Sequence, residues 1–335
     1  MERTLLSIVV PVFNEAEVID AFYQRLRKVA DSLTPVSCEI VFVDDGSGDD
    51  SYRRLVEFAH SDNDIRVIKF SRNFGHQIAI TAGMDLAKGD AVVVIDSDLQ
   101  DPPEVIKEFV SKWKQGYDVV YGIRDKRDGE SRMKLLTAAA FYRLLKRIIR
   151  LDIPLDVGDF RLMSRRVVEQ LKNLREKDRF VRGLVSWVGF QQIGVEYSRD
   201  KRHAGETKYP YRKMIKFALD GITSFSDVPL KLATWLGYLT SFIALLYLCS
   251  VFVQKALGFT VQGWATIMVA VLFIGGVQLI SLGIIGEYIG RIFNETKQRP
   301  LYVIDAIYES GTVQKSQRAA GGQRMLMTGS STFHS

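Results

Sequence analysis

Residues 91–105 read AVVVIDSDLQDPPEV. Four apolar β-formers run straight into Asp96, Asp98 and Asp101, and a pair of prolines follows. Carboxylates this close repel one another, and a bound cation is one arrangement that relieves the repulsion. Outward from this stretch, the first 125 residues alternate short β-rich runs with helical patterns. Strands are expected at LLSIVVPVF, CEIVFVD, IRVIKF, AVVVID and DVVYGI, with helices near 15–33, 50–61, 76–88 and 103–115 between them. That alternation predicts an α/β fold with a mainly parallel, Rossmann-like sheet and helices on both faces. Ligands bind such sheets at the carboxyl ends of the strands. Asn14-Glu15, Asp44-Asp45, Arg72-Asn73, Asp96 with Asp98, and Arg124 end these strands and are expected to line one crevice.

The 335 residues suit a catalytic domain plus something smaller, and 47% apolar content supplies a sizeable core. Charged residues make up 25% but are unevenly spread. Leu232–Val253 is a run of 22 residues without a charge, and Ala256–Gly286 is one of 31. At 1.5 Å per residue, 22 helical residues span about 33 Å, enough for a bilayer core. Two transmembrane helices joined by a turn around 254-QKALGFTVQG-263 are expected. Buried helices of a large soluble core are the alternative, disfavoured by run length and by the lack of ionisable groups. The net charge of +6 is placed for a membrane rather than for nucleic acid. Arg212, Lys213, Lys216 and Lys231 precede the first span, Arg291, Lys297 and Arg299 follow the second, and the turn holds only Lys255. By the positive-inside rule both flanks, and with them the large N-terminal part, lie on the cytoplasmic side. The opening run LLSIVV is cut off by Pro11 and Asn14-Glu15 and is too short for a signal peptide. Cys38 falls in a strand and Cys249 in a span, so neither a disulfide framework nor a cysteine metal site is read.

Two basic segments have apolar residues at helical spacing. In 131-SRMKLLTAAAFYRLLKRIIRL-151, Leu135, Ala138, Ala139, Tyr142, Leu145 and Ile149 form one stripe. Packing on the sheet and lying at a membrane surface are equally open for it. For 211-YRKMIKFALDGITSF-225, which abuts a span, an interfacial position is expected. After Pro300, LYVIDAIY reads as one edge strand and residues 310–335 as a flexible tail. Glu287 and Arg291 suit an i,i+4 ion pair. The glycines at 275, 276, 283, 286 and 290 would let the two spans, or neighbouring copies in a homo-oligomer, pack closely.

Asp96 and Asp98 flank Ser97, where an opening loop lets both carboxylates turn toward one hard cation. Oxygen ligands select Mg²⁺ or Mn²⁺ over zinc, and Mg²⁺ prefers one or two carboxylates plus substrate phosphates. A solvated acidic turn would show the same D-x-D. For 101-DPPE-104 that plainer reading is preferred, with Asp101 favouring the dipole of a helix whose first turn accommodates proline. No G-x-G-x-x-G follows the first strand and no G-x-x-x-x-G-K-[ST] occurs, against a dinucleotide-dependent dehydrogenase or a P-loop ATPase. The second strand ends instead in 43-VDDGSGDDS-51. Asp44 and Asp45 would repel a diphosphate, so they are expected to meet ribose hydroxyls or a base N–H, leaving the diphosphate charge to the metal and arginines. His76 sits in a strand-to-helix loop near the expected donor, and neither it nor His203 has a partner at zinc-ligand spacing.

Together, SIVVPVFNE, VFVDDGS, SRNFGH, VIDSDLQDPPE and VVYGIRDKR resemble family 2 glycosyltransferases of the GT-A fold. Within these they resemble dolichol-phosphate mannose synthase and its bacterial relatives acting on undecaprenyl phosphate. The run 286-GEYIGRIFNETKQRPLYVI-304, after two spans, resembles the membrane-anchored bacterial subgroup that includes the GtrB glucosyltransferases. The resemblance implies a catalytic domain over 1–208, a basic interfacial helix over 209–229 and two spans within 230–290 (about 232–253 and 263–287). A juxtamembrane segment with the edge strand would follow over 291–309, then the tail over 310–335. Pro11, Phe13 and Glu15 would frame the base and ribose with Asp44 and Asp45, and Asn73 and Ser97 would join the nucleotide-sugar site. Asp96 would lie near ribose and metal, Asp98 would be the principal metal ligand and Gln100 would support it. Arg124 would reach a donor or acceptor phosphate, and Arg202 and Lys208, in 202-RHAGETK-208, would clamp phosphates. Asp159, in 155-LDVGDFRL-162, matches an acidic residue proposed as catalytic base in related membrane-anchored enzymes. A phosphate monoester is already mostly a dianion at neutral pH, so orienting the acceptor or balancing Arg161 is the competing role for Asp159. The implied activity is metal-dependent, inverting transfer of a hexose, glucose first, from a UDP-sugar to a polyisoprenyl phosphate at the cytoplasmic face of the plasma membrane. A mannose or aminoarabinose-type sugar, an Asp-nucleophile phosphohydrolase and a non-catalytic membrane partner are the alternatives.

Overall fold

The computed structural model describes residues 4–124, 157–199, 228–257, 263–309 and 312–315. The chain divides into two compact units, one of Met1–Ala139, Leu151–Lys208 and Arg299–Ser335, the other of Ala140–Arg150 and Tyr209–Gln298. Arg202, Lys208, His203 and both basic amphipathic segments lie outside the described residues.

In the first unit, the strands are β1 (Leu5–Val12), β2 (Ser37–Asp44), β3 (Ile65–Phe70), β4 (Ala91–Val94), β5 (Val119–Arg124), β6 (Val157–Ser164), β7 (Gln192–Tyr197), β8 (Ile304–Glu309) and β9 (Thr312–Lys315). Among the described residues they form one sheet in the order β7-β5-β6-β4-β1-β2-β3-β8-β9. The centre, β4-β1-β2-β3, is parallel throughout. Its strands are buried on both faces, which is why β1 is an almost unbroken apolar run. Leu6, Ile8, Val10 and Val12 meet one helical layer, made of α1 (Ile19–Asp31), α2 (Ser51–Ser61) and α4 (Ile106–Lys114). In α1 the inward residues Ile19, Phe22, Leu26 and Val29 recur at helical spacing. Each buried side chain of this size contributes about 1.5–3 kcal/mol. Residue Val9 faces the other layer, where α3 (His76–Leu86) packs so closely that a Cβ on Gly83 would lie 2.2 Å from Val9 Cγ1. The same unit holds α5 (Arg165–Asn173) against β4 and β6, and α6 (Val181–Trp187) against β6.

The flanks of the sheet are mixed. Strand β6 lies between β4 and β5 and is antiparallel to both. It follows that β5 runs in the same direction as β4, so Arg124 ends at the same side as Asp96, while β6 delivers its N-terminal residues, Gly158 and Asp159, to that side. The sequence pattern does not announce β6, because Asp159 and Arg161 interrupt its apolar alternation, yet both are only 4% exposed. Strand β8 pairs antiparallel with β3 and is not the edge, since β9, within the stretch expected to be tail, pairs outside it.

In the second unit, α7 (Val228–Ala256) and α8 (Trp264–Thr296) pack against each other. Their candidate spans, Val228–Gln254 and Val269–Thr296, have mean hydropathies of 2.0 and 2.3, and no part of either apolar window is buried. Large apolar side chains such as Trp235, Phe242, Leu272 and Leu279 stand exposed, which a soluble core would not permit. Both helices are long and apolar enough to cross a membrane. Helix α8 continues beyond the expected end at 287 through the Glu287–Arg291 ion pair (3.2 Å). A Cβ on Gly275, Gly276, Gly283, Gly286 or Gly290 would meet nothing within 4 Å, so contact between the two helices does not require these glycines.

Candidate active site

Loops at the carboxyl ends of the central strands are tied together by short polar contacts. After β1, Asn14 takes a left-handed φ of 56°, its N–H donates to Ser47 Oγ (3.0 Å), and its Oδ1 accepts from the Gly48 N–H (2.8 Å). The Glu15 N–H donates to Ser51 Oγ (2.8 Å). Pro11 is buried in β1, and its carbonyl accepts from Ser97 Oγ (3.3 Å), which joins β1 to the loop after β4. The Phe13 ring stands 46% exposed at the rim. Gly46 has φ +71° and so little room that a Cβ would lie 2.6 Å from the Arg72 carbonyl carbon.

The two aspartates that end β2 have different tasks. Asp45 accepts from Asn73 Nδ2 (3.0 Å) and from the N–H groups of Phe74 (2.7 Å) and Gly75 (2.9 Å), so it holds the loop after β3. Asp44 is fully buried; its Oδ1 accepts from the Ser47 N–H (3.3 Å), while its Oδ2 has no hydrogen-bond partner among the described residues. Burial pushes both carboxyls up, against the hydrogen bonds that lower them. An unfilled buried acceptor beside the crevice is a place for a ligand's hydroxyl or N–H.

After β4, Asp96 Oδ1 is inaccessible and, among the described residues, without a hydrogen-bond partner. Burial pushes the Asp96 carboxyl up to about 6; His76 opposes the shift, and Asp159, Asp101 and Asp98 add to it. Asp98 is half-buried, and its Oδ1 accepts from the N–H of buried Gln100 (3.1 Å). Leu99 between them has φ 60°, a left-handed turn that carries the chain back toward Asp101. Two carboxylates with an unused buried oxygen suit a hard divalent cation whose remaining ligands come from phosphates and water. Among the described residues no group of three or more His, Cys, Asp and Glu is gathered for a metal, so bound ligand would have to complete the shell.

Asp159 is enclosed by donors. Arg182, on α6, grips it with two bonds (Nε to Oδ1 2.8 Å, Nη2 to Oδ2 3.0 Å), and Gln77 Nε2 donates to Oδ2 (3.1 Å). His76 Nε2 lies 3.3 Å from Asp159 Oδ2 and 3.4 Å from Asp96 Oδ1. Burial alone would raise the Asp159 pKa, but the bonds from His76 and Arg182 and the charges of Arg182 and Arg161 hold it well below the carboxylate range. Such a group takes up a proton poorly. His76 moves the other way: burial lowers it, yet its two carboxylate neighbours leave it above its ordinary value.

Asp101 does not serve a helix start. It makes no cap bond to the short 3₁₀ turn Pro103–Val105, whose cap position is Pro102. It is fully buried, its Oδ1 accepts from Tyr197 Oη (2.6 Å) and Arg199 Nε (3.1 Å), and its Oδ2 lies 3.6 Å from Arg124 Nη2. A dipole exerts only a weak pull on an exposed carboxylate, whereas two guanidiniums and a phenol at the ends of β5 and β7 can hold one in the interior. Arg124 also donates from Nε to Tyr197 Oη (3.4 Å), and a Cβ on Gly158 would lie 2.3 Å from its Nη2.

The sequence matches Glycosyl transferase family 2 over residues 7–172 and the GtrB C-terminal hairpin over residues 228–292. It is 46% identical over 300 residues to the bactoprenol glucosyl transferase of Shigella phage SfV, covering 89% of this chain and 97% of that one. The chain belongs to glycosyltransferase family 2. This glycosyltransferase is also similar to the uncharacterized glycosyltransferase YkcC of Bacillus subtilis (strain 168), 56% identical over 90% of this chain and 94% of the relative. A prophage bactoprenol glucosyl transferase homolog of Escherichia coli (strain K12) is 44% identical over 90% of this chain and 99% of its own. The solved glucosyl-3-phosphoglycerate synthase of Mycobacterium tuberculosis aligns over 67% of this chain and 79% of that one, with a TM-score of 0.45 and 21% identity. The glycosyltransferase domain has a GT-A-like mixed sheet, and the hairpin match coincides with α7 and α8.

Of the residues expected to line the crevice, the strand-end set is brought to one side of this glycosyltransferase's sheet. Sequence reasoning missed Arg182, Gln77, Tyr197 and Arg199. Arg182 and Gln77 carry no motif, and they gain meaning only through β6, which places Asp159 between them.

Proposed function

We propose that this glycosyltransferase transfers glucose from UDP-glucose to undecaprenyl phosphate, with inversion and with Mg²⁺ or Mn²⁺, at the cytoplasmic face of the plasma membrane. The observation that carries the proposal is the 46% identity to a bactoprenol glucosyl transferase across 97% of that relative's length, hairpin included. The crevice chemistry supports it. The unfilled Asp44 Oδ2 would accept from uridine or ribose, and the exposed Phe13 ring, next in the chain after the β1 residue that pairs with Asp44, would pack on the base. A divalent cation held by Asp96 and Asp98 would neutralise charge on the departing diphosphate. An oxygen of the lipid phosphate would attack the anomeric carbon as the bond from that carbon to UDP breaks, with the electron pair leaving on the diphosphate. The attacking phosphate has its second pKa near 6 and needs no base at neutral pH, which agrees with an Asp159 engaged by three donor side chains. Arg124 and the chain near Arg202 and Lys208 would meet phosphate oxygens through forked and point-charge contacts. Basic residues on both sides of the hairpin favour a topology with catalytic unit and termini cytoplasmic.

The test uses full-length protein in detergent, a panel of labelled UDP-sugars, undecaprenyl phosphate, and Mg²⁺ or Mn²⁺ against EDTA. Label from UDP-glucose should enter the chloroform-extractable fraction only with metal, and the product's anomeric configuration should be opposite to the donor's. Hydrolysis of small phosphate esters without any lipid-linked sugar would sink the proposal, and transfer from a different UDP-sugar would correct the choice of glucose.

A further inference from the structure

The cluster around Asp101 is more elaborate than a loop anchor needs. One fully buried carboxylate receives Tyr197 Oη at 2.6 Å, Arg199 Nε at 3.1 Å and Arg124 Nη2 at 3.6 Å, and among the described residues its Oδ2 still has no hydrogen bond. The three partners are the last residues of β5 and β7 and the second residue after β7. These strands are parallel, with Arg124 opposite Tyr197, so both arginines emerge at the end of the sheet where Asp96 and Asp98 lie. Their side chains are 29% and 23% exposed, so each is half sunk against Asp101 with part of its surface toward solvent. Gly158 in β6 leaves the space that Arg124 occupies. Two cations against one anion leave the cluster with a net positive charge.

We infer that Arg199 is a phosphate-binding residue of this glycosyltransferase and that Asp101 is the positioning residue that presents Arg199 and Arg124 together as a two-arginine clamp. The inference rests on the proposed transfer, whose substrates both carry phosphate: a monoester on the lipid and a diphosphate on the donor. A carboxylate behind the guanidiniums fixes their planes before a ligand arrives, so little ordering remains to be done on binding. The ligand class is therefore a phosphate oxyanion, and kinetics with each substrate varied in turn distinguishes its two sources.

The experiment compares wild type with Arg199→Gln, Arg199→Lys, Asp101→Asn and Tyr197→Phe, all full-length in detergent. Initial rates are measured with UDP-glucose varied at saturating undecaprenyl phosphate, and then the reverse. Arg199→Gln should raise KM for one of the two roughly ten- to hundredfold, the loss of a hydrogen bond to a charged group, with a smaller change in kcat. Asp101→Asn should raise the same KM, Tyr197→Phe should raise it less, and Arg199→Lys should recover part of the loss. A rise for the lipid places the clamp on the acceptor, and a rise for UDP-glucose places it on the donor. Unmoved KM values in Arg199→Gln, with only kcat or thermal stability reduced, would overturn the inference. Should Asp101→Asn fail to fold, the Arg199 pair decides alone. Calorimetric titration with UDP and with inorganic phosphate reads the clamp without turnover: weaker binding of either ligand in Arg199→Gln supports it, and equal binding of both refutes it. Wild type lacking transfer but binding these anions through Arg199 would fail the proposed reaction and keep the clamp.

Discussion

Replacing Asp159 by Asn separates a base from an anchor. The substitution keeps shape and removes one charge from a position that is 4% exposed. What remains is Arg182, still close but without its two-point acceptor, and Arg161, itself 4% exposed with an Nε that has no hydrogen-bond partner among the described residues. Removing one partner of a buried ion pair costs about 3–5 kcal/mol. Arg182 retains a 29% exposed side chain and can regain water, so the low end, about 3 kcal/mol, is expected. For a unit of this size each kcal/mol lowers Tm by about 2–4 °C, which predicts a fall of about 6–12 °C in detergent. A general base would leave another signature, a loss of about 10²–10⁴ in kcat at unchanged stability. Anchoring predicts that Asp159→Asn, assayed well below its Tm, keeps kcat within about tenfold of wild type. The assay is lipid-linked glucose formed per minute, alongside UDP binding and a thermal melt on the same sample. A thousandfold loss of kcat with intact Tm and UDP affinity would refute the anchor and restore the base.

Three further outcomes are expected. Asp98→Asn should lower turnover roughly hundredfold or more at fixed Mg²⁺, and extra metal should recover part of it; unchanged metal dependence would remove Asp98 from the cation site. Gly158→Ala puts a Cβ 2.3 Å from Arg124 Nη2, the far end of a flexible side chain. It should therefore displace Arg124 and weaken phosphate-substrate kinetics while Tm moves by less than about 2 °C. Gly83→Ala should do the opposite. Its Cβ would meet Val9 Cγ1 at 2.2 Å inside the α3–β1 contact, costing about 1–3 kcal/mol of stability, with near-normal kcat at low temperature.

The central sheet was legible because its strands are buried on both faces, and that forces continuous apolar runs such as IVFVD and AVVVI, punctuated by the residues that end them. The two long apolar helices of the hairpin were legible from their uncharged runs. Strand β6 was not. Its alternate residues Asp159 and Arg161 are buried charges that find each other and Arg182 only after folding, so its period reads as polar. Asp101 was misplaced by a local rule: D-P-P-E looks like a helix start, and the residues that claim Asp101 lie 23, 96 and 98 positions downstream. Asp44 and Asp45 are adjacent and chemically identical, and the donors of the loop after β3, Asn73 Nδ2 and the Phe74 and Gly75 N–H groups, distinguish the one that holds a loop from the one left with an open acceptor.

This sorting of carboxylates bears on the chemistry. An acidic crevice suggests proton transfer, and perturbed carboxyls are where one looks for acid and base. Around the crevice two carboxylates are instead buried behind partly exposed arginines: Asp101 behind Arg124 and Arg199, and Asp159 behind Arg182. In each case the acid is 0% or 4% exposed and the arginine in front is 23–29% exposed. Acids so placed raise the affinity of their arginines for that one position and cannot readily leave to take a proton. Among the described residues Asp96 and Asp98 have no arginine facing them, and neither does Asp44; Asp96 Oδ1 and Asp44 Oδ2 are buried oxygens without a hydrogen bond there. A reaction between a phosphate dianion and a sugar diphosphate moves charge rather than protons. For the proposed transfer, two carboxylates that fix arginines and two that would hold a divalent cation are an arrangement suited to that traffic.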